Sequence, residues 1–211
     1  MQGAEFLRMR RTWQYAATTK DAVQRRRWTF YEAIKDGTGG FSMELLEGIG
    51  SGKFERIVVA RISIGVDFLE ALHEVVRREK IKNGIILMGI GALQKAVFRN
   101  VKNFPKEFPL TPQDRVYFEV RKPLEIVSLT GYIVPKMNAE PHIHAHFSAS
   151  TVVGETIATY GGHLDQGSIT SVKVAVAIGV LEDIAMGKKW VEERKGEDLW
   201  VGSKCQMPGH R

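Results

Sequence analysis

Pro141-His142-Ile143-His144-Ala145-His146-Phe147 sets three histidines at alternating positions, and Gly161-Gly162-His163-Leu164 adds a fourth. The two stretches hold four of the six histidines in the chain. If residues 142–150 form a strand, side chains two apart share a face, so His142, His144 and His146 point the same way. Gly154 falls between the stretches, where a hairpin turn fits. A two-residue turn at Val153-Gly154 sets His163 opposite His144, and one at Gly154-Glu155 sets it opposite His146. Either register gathers at least three imidazoles in one small volume. Neutral imidazole is a favoured ligand of zinc and its transition-metal neighbours, and three such ligands leave a coordination position open. Isolated strand histidines are usually solvated or bound to backbone, but three on one face with a fourth across a hairpin are harder to read that way. No carboxylate sits at a convincing ligand spacing, since Glu155 lies in the turn and Asp165 just beyond His163.

Upstream, a clean pattern begins at Phe54. Ile57-Val58-Val59-Ala60-Arg61-Ile62-Ser63-Ile64 is β-branched and reads as a strand. Asp67 then precedes an amphipathic run, with Glu70 at the capping-box spacing. Phe68, Leu72, Val75 and Val76 form one helical stripe, and Asn83-Gly84 supplies the stop. His73 lies on this helix and is assigned no role. Strands follow at 85–90, 94–99, 115–121, 124–134, 142–149 and 155–160. Val172, Val174, Val176, Ile178 and Val180 give the clearest period-two stretch. A last strand spans Trp190 to Arg194. One main amphipathic helix and many strands predict an α+β domain with a mostly antiparallel sheet.

Two motifs fail on inspection. Gly89-Ile90-Gly91 follows a strand, but Gln94 stands where a dinucleotide fingerprint needs its third glycine, so a tight strand-to-strand passage is the better reading. Ser148 and Ser150 lie near histidines without the strand-turn-helix elbow of a serine nucleophile.

A chain of 211 residues suits one domain with extensions, and 44% hydrophobic residues can fill a sizeable core. The longest apolar runs, such as Ile85-Ile86-Leu87-Met88, are too short to span a bilayer. The first residues carry charge but no apolar segment with a cleavage-like site, and the single Cys205 has no partner for an internal disulfide. A cytoplasmic setting is expected. Residues 1–40 carry eight Lys/Arg against four Asp/Glu, so most of the net charge of +6 lies in that segment, around Arg8, Arg10, Arg11, Arg25, Arg26 and Arg27. Such clusters are usually solvated, yet they are also where phosphates would be contacted. The rest of the chain is nearly neutral, which argues against a body that grips nucleic acid. Residues 1–50 therefore read as a basic, poorly patterned extension, helical in part around 18–34, with Met43 a candidate start. Residues 51–200 read as the folded domain and 201–211 as a flexible tail.

From Ile64 to Leu93, with Gly65-Val66-Asp67-Phe68-Leu69-Glu70-Ala71-Leu72 and Gly89-Ile90-Gly91-Ala92-Leu93, the chain resembles the opening of the plants-and-prokaryotes-conserved (PPC) domain. The resemblance continues through Pro123-Leu124-Glu125-Ile126-Val127-Ser128-Leu129-Thr130-Gly131, His144-Ala145-His146 and Gly161-Gly162-His163-Leu164, covering about residues 54–200 in order. It implies a compact α+β domain, a homotrimer, and a regulatory or DNA-associated role. The AT-hook that holds DNA in the plant members has no counterpart here, so any DNA contact is expected to be weak. The family's His-x-His and Gly-Gly-His residues match His144, His146 and His163, with His142 an extra candidate ligand. The resemblance further implies a fold like that of α-acetolactate decarboxylase, where clustered strand histidines hold zinc. A zinc-dependent small-molecule lyase or hydrolase is the alternative function, with zinc or another divalent transition metal as cofactor. Arg121 and Glu125 are candidate anion-holding or acid/base groups beside the histidines, although a simple pairing of the two across neighbouring strands is favoured.

Overall fold

β-Branched runs become strands and the one amphipathic run becomes a helix in the computed structural model, which describes residues 46–103, 105, 108–136 and 139–202. In chain order the elements are β1 (Lys53–Arg61), α1 (Phe68–Arg78), β2 (Gly84–Ile90), β3 (Ala92–Val101), β4 (Arg115–Val120), β5 (Leu124–Lys136), β6 (Ala139–Val153), β7 (Thr156–Leu164), β8 (Ile169–Thr170), β9 (Ala175–Glu182), β10 (Ala185–Val191) and β11 (Gly196–Gly202). Short 3-10 turns at Pro112–Asp114 and Glu192–Arg194 precede β4 and β11. The expected helix around 18–34, the six N-terminal arginines, Met43 and Cys205 all lie outside the described residues.

Nine strands form one sheet in the order β1-β9-β2-β5-β6-β7-β3-β4, with β8 beside β3, and β10 and β11 make a separate hairpin. Every pairing among the described residues is antiparallel. β3 pairs with β7 through Phe98 and Arg99 and with β5 through Ala92 and Leu93, so the run β5-β6-β7-β3 returns to its own beginning. This closure spares four strands an open edge, where unpaired N–H and C=O groups would sit. The core lies on the sheet face that carries Leu124, Leu129, Ile133, Ile143, Phe147, Val176 and Ile178. Phe68, Leu72 and Val76 of α1 complete that core, at one-helical-turn intervals.

Helix and strands depart from the sequence reading in several places. α1 ends at Arg78, before Asn83-Gly84, because Lys80 adopts a left-handed backbone and Gly84 already belongs to β2. Asp67 caps α1 as expected, its Oδ1 accepting from the Glu70 amide at 3.1 Å, but the Glu70 carboxylate turns outward to accept from Gln166 Nε2 at 2.9 Å instead of closing a capping box. Residues 190–194 are not one strand: β10 ends at Val191, a 3-10 turn holds Glu192–Arg194, and Lys195 reverses the chain in a left-handed conformation.

Candidate metal centre

β6 and β7 form the hairpin that builds the site. Val153 faces Thr156, so Gly154 and Glu155 are the turn, with Gly154 at φ +62°. A left-handed residue there favours glycine, which lacks the Cβ that clashes. Of the two registers open on sequence, the turn selects the one that sets His163 against His146. On β6, Ile143, Ala145 and Phe147 are buried in the core while His142, His144 and His146 face the other way. β5 continues that face with Tyr132 opposite His144 and Thr130 opposite His146. Gly162 lets β7 close on β3, since a Cβ there would lie 2.8 Å from Asn100 Oδ1.

The rings of His144, His146 and His163 crowd together. Ring centroids are 5.2 Å apart for His144 and His146, 4.8 Å for His144 and His163, and 4.0 Å for His146 and His163. One nitrogen from each falls within 4.8 Å of the others, and the Nε2 atoms of His144 and His146 are 3.2 Å apart. Zinc–imidazole bonds of about 2.0–2.1 Å in a tetrahedron separate the ligand nitrogens by roughly 3.3 Å. The observed spacing brackets that value, and an all-imidazole donor set suits a borderline transition ion. The residues present therefore fit such an ion. His142 stands apart from the trio: its ring lies edge-on to His144 with centroids 6.2 Å apart.

Electrostatics keep these rings neutral. Burial holds His163 down to about 4, helped by His146, Arg99 and His144, while Asp165 acts weakly the other way. Burial also holds His142 down to about 4, with Lys188 and His144 adding to it. His144 and His146 shift in the same direction, again mainly through desolvation. Neutral imidazole is the form that ligates.

Beside the trio opens a cavity of about 640 Å³, walled by Arg99, Arg115, Tyr132, His144 and His163 on the sheet side and by the β10–β11 hairpin on the other. Tyr132 stacks on His144 at 5.0 Å, and Lys188 Nζ sits 5.9 Å from the centre of the Tyr132 ring, within cation–π range. Arg99 Nε approaches Asp165 Oδ2 to 3.0 Å as an ion pair, although its angle makes no hydrogen bond.

Arg121 and Glu125 are not in this cavity. Arg121 pairs with Glu119 of β4, which also holds Lys95 at 3.2 Å, so the expected Arg121–Glu125 pair does not form. The cause is proximity, since Glu119 is two residues away on the same stretch of chain. Glu125 on β5 faces Ser150 of β6, five residues from Thr130 and so about 16 Å along the strand from the trio's neighbour. Ser148 shares an Oγ–Oγ hydrogen bond of 3.0 Å with Ser128. Sequence reading misses Arg99, Arg115, Tyr132 and Lys188. Tyr132 is within its reach, because pairing β5 with β6 sets it opposite His144. The others come from strands distant in sequence.

An antiparallel α+β domain with three neutral imidazoles across one hairpin is the class these observations define. The Plants and Prokaryotes Conserved (PCC) domain model, the family also written PPC, matches residues 49–182, and the chain belongs to that family. Among solved structures, the metal-containing protein AF0104 from Archaeoglobus fulgidus is 22% identical, with 72% of this chain and 98% of that one covered at a TM-score of 0.57. A plant- and prokaryote-conserved protein from Pyrococcus horikoshii is 23% identical, over 71% of this chain and 94% of its own, with a TM-score of 0.56. A proposed DNA-binding protein from Bacteroides thetaiotaomicron VPI-5482 is 19% identical, over 71% and 96%, with a TM-score of 0.54. No curated protein matches the sequence.

Proposed function

We propose that this PCC-domain protein binds one divalent transition ion per chain, zinc by its donor set, through His144, His146 and His163. The observation that carries the reading is the convergence of three imidazole nitrogens within 4.8 Å of one another. Such an ion supplies Lewis acidity toward a bound carbonyl or lowers the pKa of a bound water. The chain's own part is to hold the imidazoles neutral by burial and to pack the Tyr132 ring against His144. The name of the Archaeoglobus relative, a metal-containing protein, supports the reading by analogy of fold. Metal analysis of protein purified without chelator tests it: one equivalent is expected, His144→Ala should remove it, and His73→Ala should leave it. Protein that carries no metal and takes up none on dialysis against zinc would end the proposal.

A DNA-associated role is the second reading, supported by the basic N-terminal segment and by the name of the Bacteroides relative. It belongs to Arg8, Arg10, Arg11 and Arg25–Arg27. Duplex affinity should be weak and fall steeply as salt rises, through counterion release. A chain beginning at Met43 that binds duplex as tightly as the full chain at physiological salt would refute it. A homotrimer in the cytoplasm completes the proposal. In keeping with it, no helix among the described residues is long and apolar enough to cross a membrane.

A further inference from the structure

The family match ends at residue 182, and the β10–β11 hairpin begins at Ala185, yet that hairpin forms one wall of the histidine cavity. It contributes Lys188 and Arg194 to a lining that already holds Arg99 and Arg115. Two of these four cations are satisfied internally. Arg99 is ion-paired with Asp165, and Arg194 with Glu47 and Asp198. Arg115 and Lys188 form no salt bridge among the described residues, and both are half-buried. Glu197, also in the lining, attracts Lys188 without pairing to it. Asp114 attracts Arg115 in the same way. Each of the two half-buried cations thus has a carboxylate nearby but no close salt bridge among the described residues, and an arriving anion adds a direct charge-assisted contact. Phe108, Pro109 and Leu110 line the same cavity and give it an apolar stretch. That stretch would be left uncovered by a bare inorganic anion and is covered by an organic one. A volume of about 640 Å³ suits a small organic ligand.

We propose that the β10–β11 hairpin turns the histidine cavity into a site for a small organic carboxylate, held by Lys188 and Arg115 with its apolar body against Phe108 and Leu110. The proposal rests on the metal reading only for the ligand's second anchor, an oxygen placed at the histidine trio.

Calorimetric titration of the full chain with 2-oxoisocaproate, a short branched 2-oxo acid, tests it. Zinc-loaded protein should bind it, and inorganic phosphate should bind at least tenfold more weakly. Lys188→Met and Arg115→Gln should each weaken the oxo acid at least tenfold, with zinc content and melting temperature unchanged as proof of folding. Equal affinity in both variants, equal affinity for phosphate, or no binding to zinc-loaded protein overturns the carboxylate site and leaves the metal reading standing. If the protein takes up no zinc, the metal reading falls by itself. The same titration on that protein then decides the subsite: binding that Lys188→Met weakens upholds it, and no binding removes it.

Discussion

Burial at the histidines acts on proton affinity, and its sign fixes a pH dependence. His142 and His163 are held at about 4, below the ordinary imidazole value near 6.5. Between those values the unfolded chain binds protons that the folded chain refuses. Stability therefore falls as pH drops, being fully present above about 6.5 and lost progressively toward 4. Melting curves of metal-free protein should show this decline, and His142→Gln with His163→Gln should flatten it. A melting temperature that stays level from pH 7 to pH 4 would contradict the assignment. Alternation alone puts His142, His144 and His146 on one face, because period two is a local property of a strand. Two registers for His163 stay open on sequence because turn placement at Gly154 depends on backbone conformation. Lys188 and Arg115 reach the cavity from elements far away in sequence, where no local pattern reports them.

α1 and its cap are legible for a similar reason: the stripe of Phe68, Leu72 and Val76 and the aspartate before it are local signals. The cap does more than local pattern implies. Asp67 Oδ2 also accepts from the Gly167 amide at 2.6 Å, tying the helix start to the turn before β8. Asp67→Ala should therefore cost about 2 kcal/mol, the loss of a helix cap together with a second amide left wanting. A urea titration reads this as a lower midpoint, and an unchanged midpoint would show that neither bond contributes. Leu72 is fully buried, and Leu72→Ala should cost more, about 2–5 kcal/mol. The β10–β11 hairpin is hard to see in the sequence because its strands carry glycines and charged residues (Gly187, Lys188, Lys189, Gly196, Glu197, Asp198) in place of a β-branched run, and because Trp190 to Arg194 carries a turn where β-propensity suggests continuity. The period-two stretch at 172–180 holds only in part. Val174, Val176, Ile178 and Val180 are buried, but Val172 is exposed and outside β9.

At the scale of the molecule, β9 commits Val176, Ile178 and Val180 to the core, and its other face carries Ala175, Ala177, Gly179 and the half-buried Leu181, with Phe54 lying over Gly179. Exposed apolar residues on the strands near it, Ile57 and Val59 on β1, Ile85, Leu87 and Ile90 on β2 and Val127 on β5, are candidates for a contact between copies. Large exposed apolar patches often mark an interface. Light scattering at micromolar concentration should give about 70 kDa, three times the 23.7 kDa chain, and Val59→Asp should shift it toward the monomer. A monomer in the unaltered protein would refute the trimer. The sheet order carries a consequence for how the chain reaches this state. β1 and β2 both pair with β9, Lys53 meeting Glu182 and Gly84 meeting Val180. Contacts so distant along the chain must close large loops before they are rewarded, which places folding in the slow range of milliseconds to seconds. During synthesis β1 waits without a strand partner among the described residues, and β2 with one edge open, until nearly the whole domain has left the ribosome. The nascent chain is thus most prone to aggregate just before β9 arrives.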